Sequence, residues 1–245
     1  MLLFDFKNGL CYIHRGDIMN SCWNNFFNKE ICDELAKIFK QIGDNYYPDK
    51  ESVLRFTNLD LSKIKYVILG MDPYASSYLE NNKKIPIATG RSFEVSNLEN
   101  WNSNFRQSSL KNIVKTIYFN ETGKINSWKL IKEDINSKKF SIKKPKEWFD
   151  SLENQGIMFL NSALTVEPNN PGSHINIWKN FMNKLITYIN DYNNEIKWIV
   201  WGKESYDRIS TIIEYKRIIK GVHPRNYKFV EENSLKKVKG INFLG

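Results

Sequence analysis

Four short apolar runs, each ending on a polar or glycine-bearing tip, constrain this chain more than any other feature. They are KYVILGMDPY (65–74), IMFLNS (157–162), IKWIVWGK (196–203) and RIIKGVHP (217–224). Runs of this length without polar alternation fit strands buried on both faces, the environment of a parallel sheet. Helical periodicity fills the intervals. NKEICDELAKIFKQIG (28–43) puts Ile31, Leu35, Ile38 and Phe39 on one face and stops at Gly43. NFRQSSLKNIVKTIYF (104–119) does the same with Leu110, Ile113, Val114 and Ile117. PKEWFDSLENQG (145–156) opens on proline and closes on Gly156, and further helices are expected over about 176–191 and 203–213. Strands alternating with helices predict an α/β fold: three layers, α/β/α, around a central, mainly parallel four-stranded sheet.

No repeat or linker interrupts the pattern, so a single domain over 1–245 is expected, with an N-terminal extension and helix over 1–53 and a catalytic core over 54–230. Residues 1–28 read as aromatic and irregular, and 120–144 as a polar excursion rich in Lys, Asn and Ser. Hydrophobic residues at 41% and aromatics at 14% fit a folded globule. Lys and Arg outnumber Asp and Glu by 36 to 27, a net charge of +9. That excess fits either plain solubility in a Lys/Asn/Ile-rich composition or a polyanionic partner such as nucleic acid. Cys11, Cys22 and Cys32 show no C-x-x-C spacing, which argues for a reducing compartment and against a disulfide framework. They supply no ligand set for zinc or an iron–sulfur cluster, so neither metal nor cofactor is expected. MLLFDFKNGL is too short and too acidic for a signal peptide, and no apolar run approaches membrane-spanning length. The expectation is a soluble, cytoplasmic protein with no membrane partner.

In a parallel sheet the carboxyl ends of all strands lie at one edge, where α/β proteins bind ligands. The four tips are Asp72-Pro73-Tyr74, Asn161-Ser162, Gly202-Lys203 and His223-Pro224, so Asp72, Asn161 and His223 are expected to converge although they are distant in sequence. Singly, each has an ordinary structural role: Asp before Pro forms turns, Asn caps a strand end, and His closes a turn. Together, in a chain with 3 histidines, they point to a site. There is no G-x-x-x-x-G-K-[ST] loop, no defensible Ser/His/Asp order and no metal-ligand cluster. The kit is one carboxylate, one histidine, one amide and nearby aromatic rings. It suits stabilising a cation on one side and an anion on the other while reading a planar hydrogen-bonding ring.

Taken in order, these segments resemble the uracil-DNA glycosylase superfamily over roughly residues 54–230. GMDPY resembles its water-activating motif, ATGRSF the segment ending in its base-stacking Phe, and FLNSALTVEPNNPGSH its pyrimidine-reading strand. GVHPRNYKF resembles its histidine and DNA-intercalating loop, and SSLKNI (108–113) its helix start near a phosphate contact. The resemblance implies a monofunctional DNA glycosylase of base-excision repair, monomeric, acting on single- or double-stranded DNA. It would hydrolyse the N-glycosidic bond of a flipped-out pyrimidine, uracil first, and leave an abasic site. By the same resemblance Asp72 positions water and stabilises the oxocarbenium-like cation, and neutral His223 donates to the base O2. Asn161 reads N3–H and O4, Phe93 stacks on the base, Tyr74 stands against C5 to exclude a methyl group, and Met71 contributes mainly backbone. Ser109, Lys203, Arg225 and Tyr227 would contact DNA, Tyr227 as the wedge that fills the vacated stack.

Several positions depart from the family pattern. Met71 stands where Gln is usual and Ala75 where His or Pro follows the tyrosine. Lys203 and Arg225 stand where phosphate-contacting Ser is common, exchanging neutral donors for cations. ASSYLENNKKIP (75–86) lengthens the connection between Tyr74 and Phe93 and brings Lys83 and Lys84 to the C5 side. It reads as a surface insertion, or as a reshaped entrance for a base with a bulky C5 substituent. The alternative substrate is therefore a modified pyrimidine in phage DNA, in antiviral defence. A non-catalytic DNA-binding homologue is disfavoured by the retained Asp72, Asn161, His223 and Phe93. An α/β enzyme acting on free nucleosides would have no use for a basic face.

Overall fold

The computed structural model describes residues 19–245 throughout and, before them, the backbone of two strands, Phe4–Lys7 (β1) and Leu10–Ile13 (β2). Then follow α1 (Lys29–Ile42), β3 (Tyr66–Gly70), β4 (Ser77–Glu80) and β5 (Lys83–Pro86). Three helices come next: α2 (Ser108–Thr122), α3 (Trp128–Asn136) and α4 (Pro145–Asn154). The chain continues through β6 (Ile157–Asn161), α5 (Ile175–Tyr192), β7 (Lys197–Trp201), α6 (Lys203–Ile209), β8 (Ile218–Gly221) and α7 (Phe229–Glu232). The four apolar runs form one sheet in the order β6-β3-β7-β8, with every neighbouring pair parallel. The expected three-layer α/β/α architecture is the one observed.

Side-chain alternation divides the core between the two faces of the sheet. Val67 and Leu69 of β3, Met158 and Leu160 of β6, and Trp198 and Val200 of β7 pack with Leu35 of α1 and Trp178, Phe181 and Leu185 of α5. Tyr66, Ile68, Ile157, Phe159, Ile199 and Trp201 face the other way, onto Leu110 and Ile117 of α2 and Trp148 and Leu152 of α4. The strands are therefore covered on both sides, which is why they read as unbroken apolar runs. Helix ends follow local chemistry. The Asn28 side chain accepts from the Ile31 N–H at 3.0 Å at the start of α1, and Pro145 occupies the first turn of α4.

Four expectations change. The 120–144 excursion contains α3: Trp128, Ile131 and Ile135 lie at helical spacing, and Ile131 is fully buried beneath polar neighbours that mask the period. The 75–86 segment is an antiparallel hairpin, β4–β5, turning through Asn81 and Asn82, both with positive φ (49° and 61°). Residues before 14 include a further antiparallel hairpin, β1–β2, flanking the Asn8-Gly9 dipeptide. Cys32 is disulfide-bonded whereas Cys22 is free. Which sulfurs meet depends on how segments pack, and a cysteine count carries no trace of that. No helix among the described residues is long and apolar enough to cross a membrane.

Candidate active site

A cleft of about 710 Å³ opens at the carboxyl edge of the sheet. Its floor follows from strand parity. Gly70, Asn161 and Trp201 fall on the sheet face that meets α2 and α4, and Gly70 belongs to the strand between the other two. A methyl on Gly70 would come within 2.4 Å of Asn161 Oδ1 and 2.8 Å of Ser92 Cβ, so only glycine leaves this slot open. Asn161 pairs with Gly70 in the parallel register and is buried. Beyond the strand end, the Ser162 N–H donates to the Gly70 carbonyl at 2.9 Å and the Ala163 N–H to the Met71 carbonyl at 3.0 Å. Those bonds hold the 70–72 backbone beside Asn161, while the Met71 side chain lies exposed on the cleft wall.

Phe93 and Tyr74 form the aromatic wall. Phe93 takes φ +66°, a left-handed conformation costly for a bulky residue and held by its surroundings. Its ring meets Trp201 edge-on at 5.5 Å, and the Tyr74 hydroxyl reaches the Phe93 carbonyl at 3.5 Å. The segment is tied down by Arg91, whose Nε donates to Glu153 at 2.8 Å, Nη1 to Glu94 at 2.8 Å and Nη2 to Asp150 at 2.6 Å, with a second contact from Nη2 to Glu153. Burial opposes that guanidinium's charge, but Glu153, Glu94 and Asp150 outweigh it and hold the proton more firmly than usual. The Ser92 hydroxyl adds a bond to the Ile68 carbonyl at 3.2 Å.

Asp72 and His223 face this wall from two other tips. Asp72 Oδ2 accepts the Gly172 N–H at 2.7 Å. Burial raises its pKa above the ordinary carboxylate value, against the opposing pull of the Gly172 N–H and the Arg225 charge. His223 Nδ1 accepts the backbone N–H of Arg225 at 3.1 Å, which leaves Nε2 as the protonated nitrogen of the neutral ring. Burial and then Arg225 push the imidazole pKa down, with Glu204 pulling the other way. The ring still keeps open surface toward solvent. Gly202 admits it closely: a Cβ there would meet His223 Cβ at 3.2 Å.

Asp72, His223, Met71, Tyr74, Phe93, Asn161, Ser109, Lys203 and Arg225 all line this cleft. Tyr227 does not; it stands 81% exposed on the loop beyond His223. Ser109 sits buried in the first turn of α2, and Lys203, at the start of α6, lies 3.6 Å from Asp207. Glu204 and Asp207 also reach the rim, a negative contribution that sequence reading did not anticipate. Gly70, Arg91, Trp201 and Gly172 were missed as well. The motif GMDPY contained Gly70 and ATGRSF contained Arg91, but of the three carboxylates that bind Arg91 only Glu94 is local; Asp150 and Glu153 lie about 60 residues away and leave no local signal.

No family model matches the chain. Curated relatives do. It is 35% identical over 181 residues to the uracil-DNA glycosylase of Buchnera aphidicola subsp. Baizongia pistaciae, covering 73% of this chain and 68% of that protein. It is 31% identical over 217 residues to the uracil-DNA glycosylase of Buchnera aphidicola subsp. Cinara cedri, covering 85% and 82%. Among solved structures, mimivirus uracil-DNA glycosylase superposes with a TM-score of 0.63 at 26% identity, covering 86% of this chain and 70% of that one. The UNG of Nitratifractor salsuginis gives 0.71 at 18% identity over 92% of each chain, a likeness of fold.

Proposed function

The chain belongs to the uracil-DNA glycosylase family, and from that premise we propose that it hydrolyses the N-glycosidic bond of uracil in DNA and leaves an abasic site. The observation that carries this reading is the meeting of Asp72, Asn161, Phe93 and His223 in one cleft around the slot above Gly70. The base enters that slot only when extruded from the stack. Phe93 then stacks on its face, and the Asn161 amide pairs with N3–H and O4, a pattern uracil satisfies and cytosine does not. Tyr74 closes the C5 side. As the bond lengthens, positive charge grows on the deoxyribose and negative charge on the base. Ionised Asp72 stabilises the first and orients the attacking water, while His223 Nε2–H donates to O2 and stabilises the second. Ser109, Lys203 and Arg225 contact phosphates at the rim, and Tyr227, free on its loop, fills the gap left by the extruded base.

One observation favours a second substrate. The β4–β5 hairpin joins Tyr74 to the Phe93 segment and carries exposed Lys83 and Lys84, which suits a pyrimidine with a bulky C5 substituent, as in modified phage DNA. The deciding assay uses end-labelled DNA with a single uracil, incubated with protein and then treated with alkali. Cleavage at the uracil, lowered by about 10²–10³ or more in Asp72→Asn, is the expected result. Intact DNA, with cleavage of C5-modified DNA instead, would transfer the reaction to the modified base. Full turnover by Asp72→Asn would overturn the mechanism.

A further inference from the structure

Lys111 and Lys115 stand one turn apart on α2 and share its surface. Lys111 Nζ lies 4.8 Å over the ring of Phe105, which meets Trp128 edge-on at 5.7 Å. Trp128 opens α3, Lys132 follows it by one turn, and α2 packs against α3. Three lysines thus flank one aromatic seam, each half-buried. Among the described residues none of the three has a carboxylate within ion-pair distance, whereas Lys29, Lys184 and Lys203 each do. Of the acids on α3, Asp134 is occupied by the Tyr118 hydroxyl at 2.6 Å, and among the described residues Glu133 makes no ion pair with the three lysines. Burial, then Lys132 and Lys115, lower the Lys111 pKa, as expected of cations gathered without a counter-charge. Three cations held together on rigid helices raise the local potential and attract an anion.

Their position identifies the anion. The first turn of α2 lines the cleft through Ser109, and the Asn112 side chain donates to the Pro224 carbonyl at 2.6 Å, joining α2 to the loop that carries His223 and Arg225. At the helical rise, Lys111 and Lys115 stand ~3 and ~9 Å along the helix from Ser109. With DNA advancing ~3.4 Å per nucleotide along the axis, those distances correspond to about one and about three nucleotides.

Resting on the reading of DNA as substrate, we propose that Lys111, Lys115 and Lys132 form a second phosphate-binding patch. It grips the DNA backbone about one to three nucleotides from the excised base. The patch gives the α3 excursion a purpose: α3 brings Lys132 to the two lysines of α2.

Equilibrium binding of a fluorescent single-stranded oligonucleotide, titrated between about 50 and 200 mM salt, tests this. In the triple variant K111Q/K115Q/K132Q the slope of log K against log salt should fall by about 2. The triple arginine variant should keep the wild-type slope, and excision at saturating DNA should stay within about twofold of wild type. An unchanged slope in a folded glutamine variant overturns the proposal. If that variant fails to fold, Lys132→Gln alone should lower the slope by about 0.7, and no change there overturns it equally. Because binding is read without turnover, a wild-type protein that releases no uracil would sink the proposed reaction while leaving this result standing.

Discussion

Burial raises the pKa of Asp72 where the proposed reaction needs a carboxylate, and lowers that of His223 where it needs a neutral ring. The two shifts bring the groups toward each other on the pH scale. Falling pH removes both required forms, by protonating Asp72 and by charging His223. Excision under kcat/KM conditions should therefore be flat through neutral pH. It should decline on the acid side, in the window above the ordinary carboxylate value of 3.8 and below the ordinary imidazole value of 6.5. An acid limb centred above 6.5 would remove His223 from the role of neutral donor. At Gly70 the argument is steric. Gly70→Ala places a methyl 2.4 Å from Asn161 Oδ1, displacing the amide and filling the slot. A fall in kcat/KM of about 10²-fold is expected, with a stability cost of about 1–3 kcal/mol. An alanine variant with near-normal turnover would show that the base binds elsewhere.

At the scale of elements, strands place the groups along one edge and loops aim them. The 88–94 segment illustrates the division: Phe93 lies in no strand or helix, and its left-handed backbone is held where Arg91 clamps the segment to α4 through Glu153 and Asp150. Arg91 and Glu94 are nearly inaccessible and Glu153 is mostly covered, so removing the guanidinium leaves two carboxylates without a partner. Arg91→Met should lower stability by about 3–5 kcal/mol in urea unfolding. The loss should shrink as pH falls, because the abandoned carboxylates take up protons. A loss near zero would mean the network only decorates the fold. The β4–β5 hairpin and α3 lie outside the core strands, and both were harder to read from sequence. Asn81-Asn82 is a weaker turn signal than Asn-Gly, and the apolar positions of α3 are diluted by lysine, aspartate and asparagine.

At the scale of the whole molecule, what was legible in the sequence is what local physics dictates. An apolar run flanked by turn residues is a buried strand wherever it packs, and its last residue faces the carboxyl edge whichever neighbour it finds. That is why Asp72, Asn161 and His223 could be assigned to one crevice, and α1, α2, α4 and α5 to the layers, from periodicity alone. Contacts between distant segments decided the rest. The order β6-β3-β7-β8 sets Gly70 between Asn161 and Trp201 and so makes a slot. The meeting of Arg91 with Glu153, of Asp72 with Gly172 and of Lys111 with the α3 surface joins residues about 20 to 100 positions apart. The protonated nitrogen of His223 follows from the fold of the loop after β8, which turns the Arg225 N–H back onto Nδ1. A one-dimensional pattern records which residues want burial or a turn; it does not record which partners the folded chain brings to them.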